Sequence, residues 1–195
     1  AKMYAGLLWK TADDQPVVKK QGLISVRRGI KGGFYASRPD ADDAIRTLAR
    51  YLRLKGATLL DIMAVSRLVA EEAAGLACQC ADEGLRSKLV QFAKSIDAAD
   101  TAPALITAEA RLARMVAQMS GNPAIELVMA IGYSFGMEEQ GTTLYHTAEH
   151  REVARKLQQG LVQAILDRDG DVARLMMRRR SVAMAGWIEA AEQGA

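Results

Sequence analysis

After Pro39 the sequence contains only two more prolines, Pro103 and Pro123, in a stretch that runs to residue 195. Proline breaks a helix interior because it removes a backbone donor and clashes with the preceding turn. Its scarcity, with alanine, leucine and methionine filling the same stretch, favours long helices. Strand-like alternation is absent. Asp40 or Asp42 is placed to cap a helix to about Leu54, with Ile45, Leu48 and Leu52 on one stripe. Thr58 and Asp61 have capping-box spacing and open a helix to about Cys80, with Ile62, Val65, Val69, Ala73 and Leu76 on its apolar face. Asp82 caps a helix through Ile96 that buries Leu85, Leu89 and Phe92. After a loop at 97–103 a helix runs from about Ala104 to Met119, and Ser120-Gly121-Asn122-Pro123 breaks it. The next spans about Ala124–Phe135, with a second break framed by Gly136 and Gly141. A long helix from about Thr143 to Leu166 follows, then one capped by Asp169 that reaches about Ala191. The fold class expected is all-α, a bundle of about six to seven helices.

A length of 195 residues allows one medium domain with a small attachment. Half of the residues are hydrophobic and a quarter charged, which excludes a disordered chain. No apolar run approaches the ~18–20 residues of a membrane span. The opening AKMYAGLLWKTADDQ lacks an export-signal layout, so a cytoplasmic protein without membrane contact is expected. Two cysteines, Cys78 and Cys80, make no disulfide framework and read as reduced structural residues.

Charge is uneven. Residues 1–40 hold eight Lys/Arg and three acids, a net of +5, whereas 41–195 carry a net of −2. Within the basic head, QGLISVRRGIKGGFYA has two short β-prone runs, LISV and FYA, around a glycine-rich basic turn. That is hairpin chemistry. A tip bearing Arg27, Arg28 and Lys31, with Gly32 and Gly33 beside them, suits a phosphate backbone or a minor groove. An ordinary exposed hairpin is the plainer reading of the same residues.

The segment QGLISVRRGIKGGFYAS resembles the wing of the winged helix-turn-helix domain of GntR-type transcriptional regulators. The body resembles the all-helical FCD effector domain of their FadR subfamily over about residues 41–190. Its anchors are ATLLDIMAVSRLVAEEAAGLA, with Arg67 four residues before Glu71, then RMVAQMSGNPAIELV, then GLVQAILDRDGDVARLMMRRR. The resemblance implies a DNA-binding head at 1–40 and an effector-binding and dimerisation domain at 41–195. About 20 residues precede the wing, too few for a helix-turn-helix. The head is therefore expected to be incomplete, or AKMYAGLLW, KTADDQPVV and KKQGL not to be true neighbours.

Many members of this family hold a divalent metal through one acid and three histidines. The resemblance carries the acid to Glu109 and the histidine positions to Ala113, Gln158 and Arg180. Alanine offers no ligand atom, an amide is a poor one and a guanidinium repels a cation. No metal and no other cofactor is therefore expected. Arg180 puts a fixed positive charge at the site and Arg67 adds another, and guanidinium groups grip carboxylate or phosphate. The expectation is an effector pocket between helices formed by Arg67, Glu109, Gln158 and Arg180, taking a small anionic, acidic or acyl-type molecule. In the bland alternative, Arg180 faces solvent with Arg178 and Arg179, and Arg67 and Glu71 form a structural pair.

His146 and His150 lie four apart with only Glu149 nearby, and read as a solvated helix end. No Ser-His-Asp set, P-loop or paired Glu-x-x-His motif is present, so an enzyme is not expected. The nine methionines fall at helical spacings and read mostly as core. The reading is a transcription regulator, a repressor by resemblance, acting as a homodimer on double-stranded operator DNA. A helical small-molecule-binding or enzymatic bundle without DNA binding is the alternative, and a dimerising sensor that has lost DNA binding a third.

Overall fold

The structure, a computed structural model, describes residues 24–27, 33–36 and 41–193. The chain divides into two compact units, Ala1–Thr47 and Leu48–Ala195. In the first, β1 (Ile24–Arg27) pairs antiparallel with β2 (Gly33–Ala36), in a register that sets Ile24 opposite Ala36 and Arg27 opposite Gly33. The hairpin read from LISV and FYA is thus present. Arg27 and Gly33 close its last pair, while Arg28, Lys31 and Gly32 lie outside the described residues.

Seven α-helices follow among the described residues: α1 (Ala41–Leu54), α2 (Leu59–Ala77), α3 (Glu83–Ala93), α4 (Ala102–Met119), α5 (Pro123–Leu144), α6 (Ala148–Leu166) and α7 (Gly170–Gln193). Their starts follow local chemistry. Thr58 and Asp61 form a reciprocal capping box at α2, and the Thr58 backbone N–H holds the Asp61 carboxyl below its usual range. Asp82 caps α3 and Asp169 caps α7, each accepting a backbone N–H at 3.0 Å. Asn122 accepts from Ala124 and Ile125 ahead of Pro123, and Gly121 takes a φ of +65° to end α4. Replacing Asn122 by alanine should cost about 1 kcal/mol. Urea melts would show this as a lower midpoint at unchanged slope.

Three expectations need correction. First, α3 ends at Ala93, and residues 96–98 form a 3-10 turn rather than prolonging the helix. Second, α5 runs unbroken through Gly136 and Gly141 to Leu144. A helical glycine costs only about 1 kcal/mol relative to alanine, and a long packed helix absorbs that. The break falls at 145–147 because the groups that satisfy helix ends are there. Thr147 accepts from the His150 N–H, the Arg151 guanidinium donates to the Tyr145 and His146 carbonyls, and His150 Nδ1 meets the Leu144 carbonyl at 2.9 Å. Third, Val65 does not belong to the buried stripe of α2 and is 64% exposed. The face α2 buries runs through Ala70, Ala73, Ala74 and Ala77, small residues that let neighbouring helices approach closely.

In the second unit α2 is the hub, packing against α4, α5, α6 and α7. At Gly75 a Cβ would run into the Arg174 guanidinium, and at Gly132 it would meet Ser66 at 3.3 Å. The apolar interior has two parts. The larger gathers Ala73, Ala77, Leu89, Phe92, Leu112, Val116, Leu161, Ile165 and Met177. The smaller gathers Leu105, Leu144, Tyr145, Ala154 and Ile188, with Met184 and Trp187 against it. Among the described residues no helix is long and apolar enough to cross a membrane.

Candidate functional site

Between the two apolar clusters, which share Ala108, lies a group of polar side chains, and helical spacing fixes the level of each on its own helix. On α4, Glu109 lies between Leu105 of the smaller cluster and Leu112 of the larger. On α6, Gln158 lies between Ala154 and Leu161; on α7, Arg180 lies between Met184 and Met177. In each case the neighbours are three and four residues away, on the same helix face. The three polar side chains converge. Arg180 Nη2 donates to Glu109 Oε2 in a close ion pair, and Gln158 Nε2 donates to Glu109 Oε1 at 2.8 Å. Glu109 is 1% exposed, Gln158 is fully buried and the Arg180 side chain is 13% exposed. Burial lowers the Arg180 pKa to about 10, and the carboxylate against it opposes that shift, so the guanidinium stays charged at neutral pH. Gln158 Oε1 and Arg180 Nε are buried without a partner among the described residues.

Beside this layer a cavity of about 110 Å³ opens where α2, α4, α5 and α7 meet. Arg67 and Arg180 are the charged members of its lining. Met63, Met129, Met184 and Ile188 supply an apolar wall, and Ala113 sits there too. The Tyr133 hydroxyl, also in the lining, donates to the Ile106 carbonyl at 2.9 Å, and burial pushes its pKa up to about 12, so it is a neutral wall.

All four effector-site residues inferred from the sequence thus fall in one region, in two kinds of position. Arg67 and Arg180 face the cavity; Glu109 and Gln158 stand behind Arg180. The alternative of a solvent-facing Arg180 does not hold. Successive helical residues turn by about 100°, so the run Arg178-Arg179-Arg180 points three ways. Arg180 turns inward, Arg179 faces solvent, and Arg178 reaches across to Glu71 with Nε at 2.9 Å and Nη2 at 2.7 Å. Arg67 stands farther off, its Nε 3.8 Å from Glu71 Oε1. The Arg178–Glu71 contact is a feature that sequence reasoning missed. Its signal was the same 100° step, which puts Arg178 and Arg180 on different faces.

A metal does not fit the donor set at this layer. Ala113 brings no donor, Gln158 offers only a neutral amide oxygen, a poor ligand, and Arg180 holds a cation where a metal would need a ligand. The histidines form a different structure from the solvated helix end expected. The His150 ring stacks on Trp187 at 4.3 Å, with His146 edge-on at 5.5 Å, and His150 pins the end of α5. Both cysteines are free thiols; Cys78 is buried in the larger cluster, which raises its pKa.

The model of the FCD domain matches residues 61–180, which contain the cavity's two arginines and the whole polar layer. The chain belongs to the FCD domain family. Among solved structures, this FCD chain shares its fold with Streptococcus agalactiae GntR, at 16% identity and a TM-score of 0.62, over 87% of this chain and 77% of that one. A second has 14% identity and a TM-score of 0.51 over 88% and 75%, and is described by the statement that Lar controls the expression of the Listeria monocytogenes agr system and mediates virulence. No curated protein matches the sequence. The family match and the shared fold agree on an FCD-type helical domain.

Proposed function

We propose that this chain is a DNA-binding transcription regulator of the FadR subfamily, a repressor released from its operator by a small anionic effector. Residues 1–40 belong to the DNA-binding head and 41–195 to the effector-binding and dimerisation domain. The observation that carries the reading is an FCD-type helical domain whose cavity is flanked by Arg67 and Arg180. A homodimer suits a palindromic operator because the two-fold symmetries match. A coupling of about 1–3 kcal/mol between cavity and head is enough to switch occupancy. At the wing, Arg27, Arg28 and Lys31 make phosphate contacts, and Gly32 and Gly33 let the turn approach the duplex.

The test is binding of the full-length gene product to duplex DNA by fluorescence anisotropy across a salt series. Affinity should fall steeply with salt, and Arg27→Ala should weaken binding on every sequence while reducing the logarithmic slope by about 1. Absence of salt-dependent binding would leave a helical ligand-binding bundle without a DNA role.

A further inference from the structure

The outer surface of the α2–α7 pair carries apolar side chains that nothing in the helical unit covers. We infer that this surface is the two-fold interface on which a second copy of the chain docks, centred on Leu68. The inference deepens the homodimer proposed above and rests on that reading only for the presence of two copies.

The two helices run antiparallel. Glu72 pairs with Arg174 and Glu71 with Arg178, so residues that rise along α2 meet residues that fall along α7. Helical spacing then builds the surface. On α2, Val65 and Leu68 share a stripe with Glu72; on α7, Leu175 and Val182 lie three before and four after Arg178. Arg178 reaches Glu71 across the gap with its own side chain 58% exposed, so the two stripes lie side by side on the outside. Val65 and Leu68 are each 64% exposed, Val182 53% and Leu175 40%. Single exposed apolar residues are ordinary, whereas four gathered in one patch mark an interaction surface. The outer face of α6 is the contrast: there Val153 stands alone among Glu149, Glu152, Lys156 and Gln159.

Charge selects the occupant. On this surface Asp61, Glu71 and Glu72 balance Arg174, Arg178 and Arg179. A polyanion such as DNA needs an excess of cations, so the even balance argues against it. A copy of the same surface brings a matching set of both signs, because a two-fold contact is made by one patch with itself. The central pair, Glu71 with Arg178, is closed through two N–H groups, so covering it strands no charge. Arg179 is exposed and in no ion pair among the described residues, which leaves it available to an acid across the axis. Neither α2 nor α7 contains a lysine. Lysine is depleted at subunit interfaces and arginine enriched, and an apolar centre with a polar rim is their usual anatomy.

Sedimentation equilibrium of the full chain tests this. The parent should dimerise. Leu68→Glu sets like charges against each other across the axis and should weaken self-association at least tenfold. Val182→Glu, on the other helix, should do the same. Both side chains are exposed, so helix content by circular dichroism should not change. Val153→Glu, on the α6 face, should dimerise like the parent. An equimolar mixture of Leu68→Glu and Leu68→Lys chains should regain the dimer, since opposite charges then share one interface. A parent that stays monomeric, or a dimer that survives both Leu68→Glu and Val182→Glu, overturns the inference. So does a mixture that fails to recover, which would mean that the patch docks another segment of its own chain. The regulator reading is judged separately by the salt-dependent DNA binding: a dimer untouched by these changes that still binds DNA keeps that reading and removes this surface from it.

Discussion

Arg180→Ala should destabilise the helical domain by about 3–5 kcal/mol, because it leaves the Glu109 carboxylate buried and unpaired. In a domain of this size each kcal/mol moves the melting temperature by about 2–4 °C, so a drop of roughly 6–20 °C is expected. The decisive measurement is a double-mutant cycle. Adding Glu109→Leu to Arg180→Ala removes the stranded charge and should recover much of the loss, since a buried ion pair replaced by apolar groups is often neutral in stability. Gln158 then loses its acceptor, so recovery stops short of the parent. A single Arg180→Ala that costs less than 1 kcal/mol would mean that Glu109 has another partner or carries a proton.

Phe92→Ala should be as damaging, at about 3–5 kcal/mol, for a different reason. Phe92 is almost fully buried in the larger cluster, where truncation leaves a cavity among tightly packed neighbours. Arg111 lies 5.7 Å from the centre of its ring, and Arg111→Ala should cost no more than about 1 kcal/mol. Phe92 does not line the cavity beside the polar layer, so the loss is one of packing in the larger cluster. Thermal melts of Phe92→Ala and Arg111→Ala side by side check the difference.

The two sets of mutations bear on what the sequence can reveal. Caps were legible because they depend on neighbours: Thr58 with Asp61, Asp82 and Asp169 all mark real helix starts, and the break read at 120–123 is where Asn122 caps the next helix. The Gly136–Gly141 break was misread because glycine's helix penalty is small and local, whereas the true end is set by Arg151 and His150 reaching back to carbonyls five and six residues earlier. Val65 was misassigned because an alternative face of small alanines was available, and alanine contributes little to a periodicity judged by large apolar residues. At the site, the resemblance named Glu109, Gln158 and Arg180 together, but their pairing was not legible. Whether Arg180 faces a ligand or an internal carboxylate depends on how α4, α6 and α7 stack. The same limit hid the contact between Arg178 and Glu71, residues that lie 107 apart in sequence.

The layer of Glu109, Gln158 and Arg180 also restricts how the bundle can move. Sliding α4, α6 or α7 along its axis by one turn, about 5.4 Å, would pull an ionised group off its partner and into hydrocarbon. Tilting about the layer keeps both bonds. Of the two motions, rocking on this polar fulcrum is therefore the less costly, because it leaves the register of the three helices fixed.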